Sequence, residues 1–273
     1  MKKLAVMLGN LAWIIGLYLI SIQTMFKLWD LWVVGRESMQ AIEQINFRVA
    51  IIAHDLIGLF LYLVIFKLFY KKSIFKMSRL VPMNAKTTGI IIVLSILMGI
   101  WMMCLVRIPY IQEHFPQFNE AFEFLLGRNV AFFIVFWIVH SFYKEIFFRG
   151  LIFNQMQKVF PTYLSIFVLG IIYGWLFFDW NPALSAYGML GAVILCLIYI
   201  WTGSVWSTIL SEFVLFSTYF AIYRIDPSFG ATLVFVILLC SVLIIYLMYL
   251  LWKDRVPSQK QFESGSVEIS DGF

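Results

Sequence analysis

NVAFFIVFWIVHSFYKEIFFRGL, residues 129–151, is a stretch of 23 residues that opens as pure hydrocarbon and closes on charge. A bilayer core about 30 Å thick needs roughly 20 apolar residues in a helix, so the stretch is long enough to cross. Its second half carries His140, Lys144, Glu145 and Arg149. Seven comparable stretches surround it, near 4–29, 48–71, 88–107, 161–179, 184–202, 204–224 and 230–252. They lack the two-residue alternation of a transmembrane barrel, so the expected fold is all-α, a polytopic bundle of about eight transmembrane helices.

Composition agrees. Of the 273 residues, 62% are hydrophobic and 13% charged, and the mean hydropathy is +0.90. Ordinary globular chains are roughly 45–50% apolar and about 25% charged, and a soluble domain with this excess would expose large apolar patches. That excludes a soluble enzyme, a disordered chain and a nucleic-acid binder. Residues 1–256 read as one transmembrane helical domain, and 257–273 as a polar, disordered cytoplasmic tail. The first span follows Lys2 and Lys3, is too long for a cleaved leader and ends on no small-x-small site, so it reads as a retained signal anchor. Proline begins or follows spans, at Pro161, Pro182 and Pro227, where helix boundaries accept it.

Basic residues set an orientation. With eight spans, Lys2, Lys3, Lys71, Lys72, Lys76, Arg79, Lys86, Arg149, Lys158, Lys253, Arg255 and Lys260 fall on one side. The loop after span three offers Glu113, Glu120 and Glu123 against Arg107 and Arg128. Both termini are therefore expected in the cytoplasm, in a bacterial plasma membrane. Basic loops facing anionic lipid account for the net charge of +5 without nucleic acid. Cys104, Cys196 and Cys240 lie inside spans at spacings that fit no metal site or disulfide framework. No H-E-x-x-H occurs, and neither cofactor nor metal is expected.

An ionisable side chain inside a span costs about 2.5–3.5 kcal/mol and needs a partner or a purpose. Glu145 and Arg149, four apart, share a helical face. The same run also reads as a helix end with Lys144 and Arg149 as interfacial anchors. Asp179 reads as interfacial, and Lys27, beside Gln23, is able to snorkel. His54 and Asp55, adjacent and so about 100° apart, are expected to pack on a neighbouring helix rather than form one dyad. His140, one turn before Lys144, is a cavity candidate.

Lys144-Glu145-Ile-Phe-Phe-Arg149-Gly150 resembles the first motif, E-E-x-x-x-R, of the CAAX-protease and bacteriocin-processing (CPBP, or Abi) family of intramembrane proteases. Tyr173-Gly174-Trp175-Leu176-Phe177 falls at the second, F-x-x-x-H. Gly203-Ser204-Val205-Trp206 resembles the start of the third, with Glu212 and Phe216 at its histidine and asparagine. The resemblance covers about 129–220. It implies an eight-span fold with a site at the cytoplasmic end of span four. In the family's peptidases the first glutamate is thought to activate water, with the histidines and asparagine supporting the site and an oxyanion.

Here the first glutamate is Lys144, the second-motif histidine Phe177, the third-motif histidine Glu212 and the asparagine Phe216. Only Glu145 and Arg149 keep the family's residue types. A paired lysine abstracts no proton, and Phe177 forms no hydrogen bond. A Lys144–Glu212 ion pair flanked by Glu145–Arg149 is expected to pin span four to span seven. The resemblance thus implies a pseudoprotease that binds and regulates, stabilises or positions a partner membrane or cell-envelope protein, through helix contacts in the lipid bilayer. The partner's transmembrane helix would lie in the former peptide groove. Three alternatives stand beside it. One is an active peptidase with an altered site, in protein processing or bacteriocin self-immunity, using Glu145 and Arg149. The others are a small transporter using His54, Asp55 and Glu212, and an assembly factor for lipid-linked polymers.

Overall fold

The structure is a computed structural model and describes residues 2–36, 47–127, 129–178, 181–225 and 232–256. The expected tail, Asp179 and Pro227 lie outside the described residues. Eight long helices are present among them: α1 Lys2–Trp32, α2 Arg48–Leu68, α3 Ala85–Val106, α4 Val130–Glu145, α5 Thr162–Phe178, α6 Pro182–Thr202, α7 Val205–Ile225 and α8 Leu233–Lys253. Past Glu145, α4 runs on as a π-helix, Ile146–Phe153, and a last turn, Asn154–Met156. No strand occurs among the described residues. Each expected span therefore has its helix, and the all-α polytopic membrane fold is what the structure shows.

Seven helices are long and apolar enough to cross a membrane, and α5, the fifth expected span, is an apolar helix of only 17 residues. Its rise is about 25 Å, at the lower end of what spans hydrocarbon. Contacts made before α5 and after α6 set the chain's path through both helices. Asn154 donates to the Met77 carbonyl, and Val205 N–H to that of Arg79. The chain therefore sits at one face of the bundle both before α5 and after α6. Since α6 spans, α5 carries the chain to the far face.

The same face collects the basic segments. Lys86 pairs with Asp254 at 2.5 Å, and Tyr70 donates to Asn10 at 3.3 Å. The start of α1, the segment 70–86 and the end of α8 thus gather on one side. Exposed pairs of this kind contribute about 0–1 kcal/mol, so they report topology more than stability.

Local chemistry sets the turns. Asn84, Asn129 and Asn181 cap α3, α4 and α6 by accepting backbone N–H bonds, and Pro182 occupies the first turn of α6, where its missing N–H costs nothing. Gly203, at φ +67°, closes α6 in the left-handed region and allows the immediate turn into α7.

Lipid supplies no hydrophobic drive between helices, so close packing matters. α7 lies against α3, which also supports α8; α4 sits between α2 and α7. At the α3–α7 crossing a Cβ on Gly99 would come within 2.6 Å of the Leu215 carbonyl oxygen and 2.8 Å of Thr218. A Cβ on Gly89 of the same helix meets nothing within 4 Å. Gly99→Ala is expected to destabilise by about 1–3 kcal/mol, and Gly89→Ala to be neutral or mildly stabilising. Thermal unfolding of both variants in detergent checks the contrast, and equal melting temperatures would refute the close approach.

Candidate functional site

The charged end of α4 is no interfacial anchor. Lys144 exposes 3% of its surface, and Glu145 and Arg149 none. The alternative of a helix end reaching for headgroups is therefore overturned. Each charge instead has a specific partner. Arg149 donates to Glu145 at 2.8 Å and, more weakly, to the Ala192 carbonyl at 3.4 Å. The expected face-sharing thus becomes a contact. Lys144 forms an ion pair with Glu212 on α7, joining span four to span seven as the charge reversal implied. It also donates to Tyr173 on α5 at 3.3 Å.

Aromatic rings complete the Lys144 pocket. Its ammonium lies 5.5 Å from the Tyr173 ring centre and 5.7 Å from that of Phe177. These two rings stack, with centres 4.9 Å apart. Phe177, which stands where the motif has histidine, thus offers a π face to a cation. Phe216, at the asparagine position, stacks on Trp137 with centres 3.7 Å apart. Phe177 and Phe216 both contribute apolar wall to the cavity described below.

A second network lies beside the first. Adjacent His54 and Asp55 do bond, Nδ1 to Oδ1 at 3.0 Å, contrary to the expectation from their 100° separation. The angle describes where side chains leave the helix, and both bend back far enough to meet. Asp55 Oδ2 also holds His140 Nδ1, at 2.7 Å, and His54 Nε2 meets Ser21 Oγ of α1 at 2.9 Å. Ser21, His54, Asp55 and His140 thus form one chain across α1, α2 and α4. Ser21 is not legible in the sequence, because a lone half-buried serine in a helix gives no periodic or motif signal. Among the described residues, no three His, Cys, Asp or Glu are grouped to hold a metal ion, and Cys104, Cys196 and Cys240 are buried and unpaired.

One cavity of about 960 Å³ joins the two networks. His54, Asp55, His140, Lys144, Tyr173, Phe177 and Glu212 all line it, while Glu145 and Arg149 lie outside its wall. The transporter alternative needs a continuous polar path, and apart from this cluster the cavity wall is largely apolar, with rings such as Phe122, Phe136, Phe178 and Tyr187.

Residues 126–215 match the family described as type II CAAX prenyl endopeptidase Rce1-like. The match spans about a third of the chain and contains Lys144, Glu145, Arg149, Phe177 and Glu212. It bears out the resemblance drawn from the motif around Glu145. No curated protein and no solved structure matches the chain. The chain is a polytopic membrane protein that resembles the CAAX proteases over residues 126–215.

Two outcomes test the site as described. Lys144→Met alone strands Glu212 and is expected to cost about 3–5 kcal/mol, with much of that recovered in Lys144→Met/Glu212→Leu. Equal damage in the single and the double, read by unfolding in detergent, would refute the pair. Asp55→Leu leaves two buried imidazoles without an acceptor. It is expected to cost at least about 2 kcal/mol, while Ser21→Ala, which removes one end group, costs about 1 kcal/mol.

Proposed function

We propose that this protein is a pseudoprotease of the CAAX-protease type, one that binds and stabilises, positions or regulates a partner membrane or cell-envelope protein. The observation that carries the reading is the placement of charge at the cavity. The motif position that would hold a water-activating carboxylate presents Lys144, already paired to Glu212. The carboxylate that remains, Glu145, is clamped to Arg149 outside the wall. Hydrolysis needs a base in reach of water and carbonyl, and donors for the developing oxyanion. Phe177 and Phe216 supply neither. Both residues instead contribute packing, which suits a site kept for shape.

The partner meets the outer helices. The lipid-facing side of α8, where only Cys240 and Leu251 are buried, has the length and apolarity for helix-to-helix contact. The reading places the basic face toward the cytoplasm of a bacterial plasma membrane, on the strength of its Lys and Arg.

Affinity purification from native membranes in gentle detergent, read by mass spectrometry, tests it. A partner at constant ratio with wild type and Glu145→Gln alike is expected, with no peptide whose appearance depends on Glu145. Peptides that accumulate only with Glu145 intact would establish a peptidase with an altered site.

A further inference from the structure

The Ser21–His54–Asp55–His140 chain belongs to none of the three motifs, and its last member opens on the cavity. We infer that the cavity binds a neutral lipid carrying a free hydroxyl, with His140 as the acceptor for that hydroxyl and Lys144 and Tyr173 as donors to it.

The argument begins with proton positions. Asp55 Oδ1 and Oδ2 face Nδ1 of His54 and Nδ1 of His140, and a carboxylate that accepts at both oxygens places the proton of each ring on Nδ1. Each imidazole is then left with an accepting Nε2. For His54 that nitrogen meets the Ser21 hydroxyl. Among the described residues His140 makes no second hydrogen bond, and it lines the cavity. Asp55 thus fixes both the tautomer and the tilt of the cavity-facing ring, and ring stacking on Phe136, 5.1 Å between centres, holds it from the other side. A buried acceptor this well fixed calls for a donor.

Donors stand one turn further along α4. Lys144 carries three N–H groups, and its bonds to Glu212 and Tyr173 use two. Tyr173 accepts from Lys144 and keeps its own O–H to give. All three side chains line the same cavity. A group that both donates and accepts suits this wall, where Glu212 Oε2 also has no partner among the described residues, and that is the chemistry of a hydroxyl.

Charge decides against an ionic headgroup. Lys144 is matched by Glu212 and Arg149 by Glu145, so a phosphate would arrive with no free counter-charge, and an ammonium, which Asp55 could answer, would accept nothing from Lys144 and Tyr173. A charge taken from water without a counter-charge is heavily penalised. The rest of the wall is aromatic and aliphatic, and about 960 Å³ is in the range of small-molecule sites. Flexible acyl chains fit such a space from within the bilayer.

The inference rests on the cavity alone and not on the silence of the protease site, so the two fail separately. The test uses the full chain, delipidated in detergent and exposed to three probes with identical acyl chains: dioleoylglycerol, its methyl ether and dioleoylphosphatidylcholine. Bound lipid is counted by native mass spectrometry. Dioleoylglycerol is expected to be retained about tenfold better than either of the others, the factor that one lost hydrogen bond to a fixed partner gives. His140→Phe, which keeps the ring and removes the acceptor, is expected to erase that preference. The methyl ether keeps the test decisive on wild-type protein if the variant does not fold. Equal retention of the three probes, an unchanged preference in His140→Phe, or a peptide found in the cavity in place of lipid would overturn the proposal.

Discussion

Everything about the site depends on the rule that a charge in hydrocarbon must be answered by another. Lys144 and Glu212 belong to helices far apart in sequence, and in lipid either would be expensive alone. Their meeting fixes α4 against α7 and, through Tyr173, brings α5 to the same point. The Glu145–Arg149 pair solves the same problem within one helix. Two neighbouring residues of a single motif are thereby sent to opposite duties. Lys144 faces the cavity, and Glu145 faces the protein.

The residues around the cavity are mutually consistent: a cation on α4 meets an anion on α7, and aromatic rings line the wall beside them. Phe177 approaches the Lys144 ammonium, and Phe216 stacks on Trp137. Such agreement across helices is what a packed, neutral interior requires.

Much of this was legible in the sequence. Length and apolarity located the helices to within a few residues, because hydrocarbon thickness is a stringent ruler. The i, i+4 spacing gave Glu145–Arg149, and the charge reversal within the motif pattern gave Lys144–Glu212. The Asp55 network was not legible. Helical angles state where side chains start, and His54 and Asp55 meet only after their side chains bend. Nor does sequence spacing show that His140 and Asp55, on different helices, would converge. The shortness of α5 is hidden for a simpler reason: its apolar run continues up to Asp179, just past the helix end at Phe178.

The π-helical stretch carries a consequence of its own. From Ile146 to Phe153 the backbone winds more widely than an α-helix, and all eight residues are buried. A wider winding is a matter of counting: it seats more residues per turn than an α-helical course over the same ground. Beyond it Asn154 reaches the Gly150 and Met77 carbonyls and the Tyr199 hydroxyl together. A single deletion inside the stretch would let the chain relax to the cheaper α winding and swing Asn154 off all three. Relatives of this chain would therefore vary in composition here far more readily than in length, and a gap in this segment would mark a protein whose basic face is built differently.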